Sequence, residues 1–309
     1  LTLTLTPSML LLGARAQLSA LDLISGKTLW EVRRPIARSP DPNAPAMHPA
    51  VVGDSIFTRI LNHGTPKLTG FDAKGKVLWD KSVRNGVLSD PIASGAWLYV
   101  VAAESSPGLR MGVYLHRIDS ATGESMLSRR LCDVLRDLGP YDAGQPVIDG
   151  RHMLILLKGA LICTDLAGQV QWVRRLPYMP GLKACLSDRP LAEDGKAYFV
   201  TSDSPYLYCV DISTGSLVWT SLDADIYNLV ALDGDVLVTT SPEYVRGYHK
   251  RTGRMIWQAP RGGWVMPAGK GTVLDMTLVK DDPLGKQFGE TPPRRIRWLS
   301  TATGRTVGE

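Results

Sequence analysis

"LDLISGKTLW", residues 21–30, places an Asp, a Ser-Gly pair, a Lys and a Trp behind an apolar run, and the chain then writes the phrase again. "GFDAKGKVLW" (70–79) carries Asp72, Gly75 and Trp79, "CTDLAGQVQW" (163–172) carries Asp165, Gly168 and Trp172, and "CVDISTGSLVW" (209–219) carries Asp211, Gly215 and Trp219. Weaker copies have Asp119 and Gly123 with Leu127 in the Trp place, His249 with Gly253 and Trp257, and Ser300 with Gly304. Together with Asp22, Gly26 and Trp30 of the first copy, seven turn glycines follow one another at intervals of 38 to 51 residues. A recurrence of this size marks one supersecondary unit that buries its faces only by stacking on copies of itself.

The unit is a chain of short strands. Between 48 and 82, runs near 48–52, 55–61, 67–72 and 76–82 are rich in Val, Ile, Leu, Phe and Thr, and Gly-Asp, Asn-His-Gly and Ala-Lys-Gly separate them as turns. The same order recurs in each repeat, and no long stretch has a 3.6-residue apolar period; "CDVLRDLG" (132–139) is at most one or two helical turns. The Asp accepts hydrogen bonds from main-chain N–H groups two residues on, and the Gly supplies the positive φ of a tight turn. The Trp then lies on the outer strand with a large apolar face for the neighbouring sheet. This predicts an all-β chain, a seven-bladed β-propeller of four-stranded antiparallel blades, with residues 1–309 as one domain.

Length and composition agree: 309 residues with 44% hydrophobic content make a large core, and a net charge of +5 does not compel an acidic partner. Arg33-Arg34, Arg129-Arg130 and Arg174-Arg175 fall on predicted outer strands, where charge hinders sheet-to-sheet aggregation; spread over separate repeats they form no nucleic-acid patch. Cys132, Cys163, Cys185 and Cys209 have no metal-type spacing, and Cys163 and Cys209 occupy equivalent buried positions two residues before the repeat Asp. Free thiols favour a reducing compartment. "PSMLLLGARA" (7–16) imitates a signal peptide yet fits the second strand of the first repeat, and no apolar run spans a membrane. "LTLTLT" (1–6) is strand sequence, serving either as the inner strand of blade one or as the outer strand of blade seven. The start without Met and the end five residues after Gly304 lead us to expect a piece of a longer protein, with a fused domain among its partners.

Chemical motifs are sparse. "AGKGT" (268–272) lacks the spacing of a phosphate loop and reads as a hairpin turn, "DDPLGKQFGE" (281–290) fails calcium-loop spacing, and the five histidines stand singly. We assign no catalytic residue, no metal site and no cofactor. One set of positions does suggest binding. His48, Asp90, Gln145, Arg189 and Asn228, with Met266 in the last repeat, stand just before the innermost strands, aligned by a following Pro or its equivalent, and should converge at one mouth of the ring. In "LPYMPGLKACLSDR" (176–189), Tyr178, Met179 and Leu182 among turn formers resemble interface anchors.

The phrase resembles the tryptophan-docking repeat of the pyrroloquinoline quinone-like (PQQ-like) propellers, with its best copies at 20–30, 70–79, 163–172 and 209–219. That family contains quinoprotein alcohol dehydrogenases and non-catalytic members such as the lipoprotein of the outer-membrane β-barrel assembly machinery. The dehydrogenases have eight blades, adjacent cysteines beside the cofactor and a much longer chain; here the count is seven and no Cys-Cys pair exists. The resemblance therefore implies a non-enzymatic scaffold that binds another protein. A quinoprotein-like oxidoreductase or small-ligand binder and an outer-membrane assembly scaffold are the alternatives, and the family implies the periplasm or cell surface.

Overall fold

A computed structural model describes residues 2–14, 17–33, 47–62, 65–82, 86–106, 110–134, 143–157, 160–176, 189–201, 204–222, 225–269, 271–278 and 294–309. Their strands form seven antiparallel sheets, each of four strands in chain order, with a short fifth strand, Gly86–Leu88, added to the third, and no helix occurs among them. Blade one occupies 2–33, blade two 50–82, blade three 86–134, blade four 147–175, blade five 191–222, blade six 228–260 and blade seven 264–308. The fold is a seven-bladed β-propeller. Thr2–Leu5 pairs with Met9–Gly13, so the first residues are the inner strand of blade one, and Thr306–Gly308 completes blade seven. Cys132–Val134 ends a ten-residue strand, Ser125–Val134, paired with Arg110–Asp119, so these three residues of "CDVLRDLG" are strand, and the rest of that stretch lies outside the described residues. The chain divides into two compact units, Leu1–Tyr178 with Asp188–Lys196 and Asp211–Ser216, and Met179–Ser187 with Ala197–Val210 and Leu217–Glu309.

Within the first unit the cores lie between sheets. Along Trp97–Ser106, Leu98, Val100 and Ala102 pack with Phe57 and Leu68 of blade two, while Tyr99, Val101 and Ala103 pack with Met153 and Ile155 of blade four. Alternate side chains of a strand point to opposite faces, so a strand buried on both faces reads as a continuous apolar run. In the second unit Val238 and Val245 of blade six meet Val273 and Leu299 of blade seven in the same way.

The repeated phrase is a joint between consecutive blades. Asp22 Oδ1 accepts from Ser25 N at 2.7 Å, Asp72 Oδ1 from Lys74 N at 2.9 Å and Asp165 Oδ1 from Ala167 N at 2.9 Å. His249, the odd residue of the sixth copy, keeps the turn because its Nδ1 accepts from Arg251 N at 3.2 Å. The Lys196 ammonium, followed by the Ser213 hydroxyl, holds the Asp211 carboxyl well below the usual carboxylate range. Each Trp indole donates to a carbonyl of the next blade: Trp30 to Ala73 O at 2.9 Å, Trp79 to Ser120 O at 2.9 Å and Trp172 to Ile212 O at 2.8 Å. In the second unit Trp219 reaches Lys250 O and Trp257 reaches Thr301 O, both at 2.8 Å.

The turn glycine does two things. Gly253 has φ +69°, which a side chain disfavours, and a Cβ there would stand 2.4 Å from the Trp219 ring. The imperfect copies are repaired by their neighbours. At Gly168 the nearest side-chain atoms are the Arg129 Cβ and Cγ, so the aliphatic stem of Arg129, and not Leu127, takes the docking role in blade three. Blade seven has Gly308 in the Trp place, and its cross-strand partner is Trp298. Cys163 and Cys209 are both buried, as their equivalent positions imply.

Candidate functional site

The entries to the inner strands share a local grammar: His48-Pro49, Asp90-Pro91, Gln145-Pro146 and Arg189-Pro190. Proline restricts the preceding residue to extended backbone and cannot donate to a ladder, so pairing breaks at the entry. Blade three shows the break directly. Gly86–Leu88 and Ile92–Ser94 both pair with Trp97–Ser106, and between them Ser89 N donates to Val101 O at 2.8 Å while its Oγ accepts from Val101 N at 2.9 Å. Asp90 is thereby turned away from the ladder, toward blade two.

There it meets Arg59, from the middle of Ser55–Asn62. Arg59 Nη2 lies 3.3 Å from Asp90 Oδ2, and Nη1 donates to Leu88 O at 2.6 Å. The two side chains are only 2% and 4% exposed, so this is a buried ion pair. Gln145, also buried, donates from Nε2 to Pro91 O at 2.6 Å, and its Oε1 accepts from Arg189 Nη1 at 3.4 Å. Arg189 itself is exposed. Asp90, Gln145 and Arg189 are thus joined, through Pro91 O, in one polar ladder that starts at Arg59 in blade two and reaches the entry of blade five. His48 is half-buried at the entry of blade two, beside the buried Met47.

The remaining positions fall elsewhere. Asn228 belongs to the second unit, where it opens the inner strand Asn228–Asp233, and Met266 is buried inside Trp264–Gly269 instead of preceding it. Tyr178, Met179 and Leu182 lie outside the described residues. "AGKGT" is the turn between Trp264–Gly269 and Thr272–Leu278. Arg59 was missed by sequence reasoning, although an Arg inside "SIFTRIL" was a visible signal, a charge that an apolar strand must pair.

A quinone held by calcium requires several hard oxygen ligands. Among the described residues no three His, Cys, Asp or Glu side chains converge, and one oxygen of the Asp90 carboxylate is engaged by Arg59. The donor set of the described residues does not fit that group.

The chain matches the model of a family described as outer membrane protein assembly factor BamB, over residues 14–259. No curated protein matches it. Among solved structures it is similar to the dihydro-heme d1 dehydrogenase NirN (13% identity, TM-score 0.63, covering 99% of this chain and 66% of that one). It is similar also to the quinohemoprotein alcohol dehydrogenase of Comamonas testosteroni (14%, TM-score 0.57, 90% and 62%). A third similar structure is the β-propeller domain of Cps50 (Swd1) from Myceliophteria thermophila (11%, TM-score 0.59, 96% and 95%). The chain spans about two thirds of the length of the two dehydrogenases, and likeness at these identities concerns the fold.

Proposed function

The chain belongs to the outer membrane protein assembly factor BamB family, and from that membership we propose that it is a non-enzymatic scaffold that docks another protein. The docking edge is the set of turns entering the inner strands of blades two to five, with Arg189 as its outward group, the half-buried His48 at its start, and Tyr178, Met179 and Leu182 beside it in sequence. The observation that carries this reading is the polar ladder Arg59, Asp90, Gln145, Arg189. One oxygen of its carboxylate and both ends of its amide are engaged in cross-blade bonds. They brace the edge and hold an exposed guanidinium on a buried amide, a pre-organised arrangement suited to recognition. The family description supports looking first for a partner among outer-membrane assembly proteins.

Two measurements test the proposal. A photo-crosslinking residue at position 189 is expected to capture a discrete partner in cells, and the same residue at Arg151, on the turn at the other end of the blade-four inner strand, is expected to capture none. Equal capture at both positions would remove the edge as the docking surface. Calorimetric titration of the chain with PQQ and calcium is expected to give no heat; calcium-dependent binding accompanied by a quinone spectrum would replace the scaffold with a quinoprotein.

A further inference from the structure

The second unit contains a cleft of about 880 Å³, remote in sequence from the ladder and built around "RGGW", residues 261–264. Its floor is a glycine pair. Gly262 N and Gly263 N donate to the two oxygens of Asp275 at 2.7 and 3.0 Å, which draws the turn down onto the strand Thr272–Leu278. A Cβ on Gly262 would stand 1.8 Å from Thr277 Oγ1, and one on Gly263 2.2 Å from Met276 O. Only glycine permits this approach, and the same lack of side chains leaves the cleft open.

Its walls are cationic and aromatic. Arg261, Arg295 and Arg297 line it, with Trp264 and Tyr227, which are 39% and 42% exposed. Arg297 is paired with the fully buried Asp275, whose oxygens also receive the two glycine amides. Arg261 is held differently: its Nη1 donates to Ser241 O at 2.7 Å and its Nε to Gly263 O, both neutral carbonyls. Burial pulls its guanidinium below the ordinary arginine value, with the Asp275 charge as the first counterweight. Glu309 is also among the lining residues, and Arg297 is already engaged by Asp275. A carboxylate placed between Arg261 and Arg295 would be attracted to both in a site where solvent screening is reduced.

We propose that this cleft binds a carboxylate borne by an extended peptide, with the acidic side chain against Arg261 and Arg295 and an adjacent apolar side chain on Trp264. The size is that of a small-ligand pocket, which typically measures about 300–1,000 Å³, and the aromatic rims supply the apolar contact that a bare phosphate-type anion would not use. The proposal does not depend on the edge in the first unit.

The test is fluorescence anisotropy with a labelled Gly-Glu-Phe-Glu-Gly peptide, its Lys-for-Glu counterpart and unlabelled succinate as competitor. Arg295→Glu and Trp264→Ala are the informative variants, because both side chains are exposed; unchanged thermal melting verifies that they fold. The acidic peptide is expected to bind saturably and more weakly at high salt, to lose about tenfold or more in affinity in each variant, and to be unaffected by Arg189→Glu. The Lys peptide is expected not to bind. Absence of binding by the acidic peptide, equal binding of the Lys peptide, or unchanged affinity in both variants would overturn the proposal. Binding of succinate without the peptide would also overturn it, by making the cleft a small-molecule site.

Discussion

Trp219→Ala is expected to lower the stability of the chain by about 3–5 kcal/mol, the range for truncating a large buried aromatic. The ring is 9% exposed, lies against Tyr198 and covers Gly253, and its indole bonds Lys250 O at 2.8 Å, so one residue carries much of the joint between blades five and six. Denaturant titration followed by far-ultraviolet circular dichroism would measure it. Trp219→Phe should cost less, since it preserves most of the apolar cover and loses one hydrogen bond of about 0.5–1.5 kcal/mol. Gly253→Ala supplies the diagnostic comparison. In the parent chain the new methyl meets the ring at 2.4 Å and also occupies a positive φ, whereas in the Trp219→Ala background only the φ cost remains, about 1–2 kcal/mol. The two substitutions should therefore be strongly non-additive. Additive losses would mean that the glycine is required for its turn alone.

That coupling explains what the sequence revealed of the fold. Turn chemistry and the aromatic at fixed spacing are local, so seven repeats could be counted and their strands placed from residues close together in the chain. The reason the glycine is obligatory was only half visible. Its positive φ belongs to its own turn, but the ring that lies on it comes from the previous blade, as Trp30 does on Gly75 and Trp172 on Gly215. The same distance hides the repairs. Leu127 looked like the third docking residue because it stands at the right spacing, yet the stem of Arg129, two residues on and on the same strand face, meets Gly168.

The candidate site was legible to a lesser degree. Asp90, Gln145 and Arg189 could be aligned because each precedes a proline, a signal written in two adjacent letters. Their bonding could not be read, because Arg59 is 31 positions from Asp90 and Gln145 is 54 from Pro91. The alignment also treated the last blade as equivalent, and there "RGGW" replaces the X-Pro entry and Met266 falls inside the strand. The departure from the pattern is where the cleft forms. Neither Gly262 nor Gly263 was singled out from the sequence; what sets them apart is Asp275, on the next strand, which holds their amides.

Asp90→Ala is expected to cost about 3–5 kcal/mol, because it removes the Asp90 charge from beside the Arg59 guanidinium, which is 2% exposed. A second loss accompanies it: the cation that also holds Leu88 O sits at the break between the two inner-strand segments of blade three, so the entry turn should loosen with it. Two further variants separate charge from packing. Arg59→Met should be comparably damaging, since it leaves a buried carboxylate, while Arg59→Met combined with Asp90→Leu should recover most of the stability, because a buried ion pair replaced by apolar residues of similar volume is often near neutral. Equilibrium denaturation of the three variants measures the stability terms, and crosslinking through position 189 measures docking. If the double variant is stable but no longer docks its partner, the pair exists to orient the ladder that ends at Arg189. If it is stable and docks normally, the pair is a fastening between blades two and three, and recognition resides in the residues around His48 and Arg189 themselves.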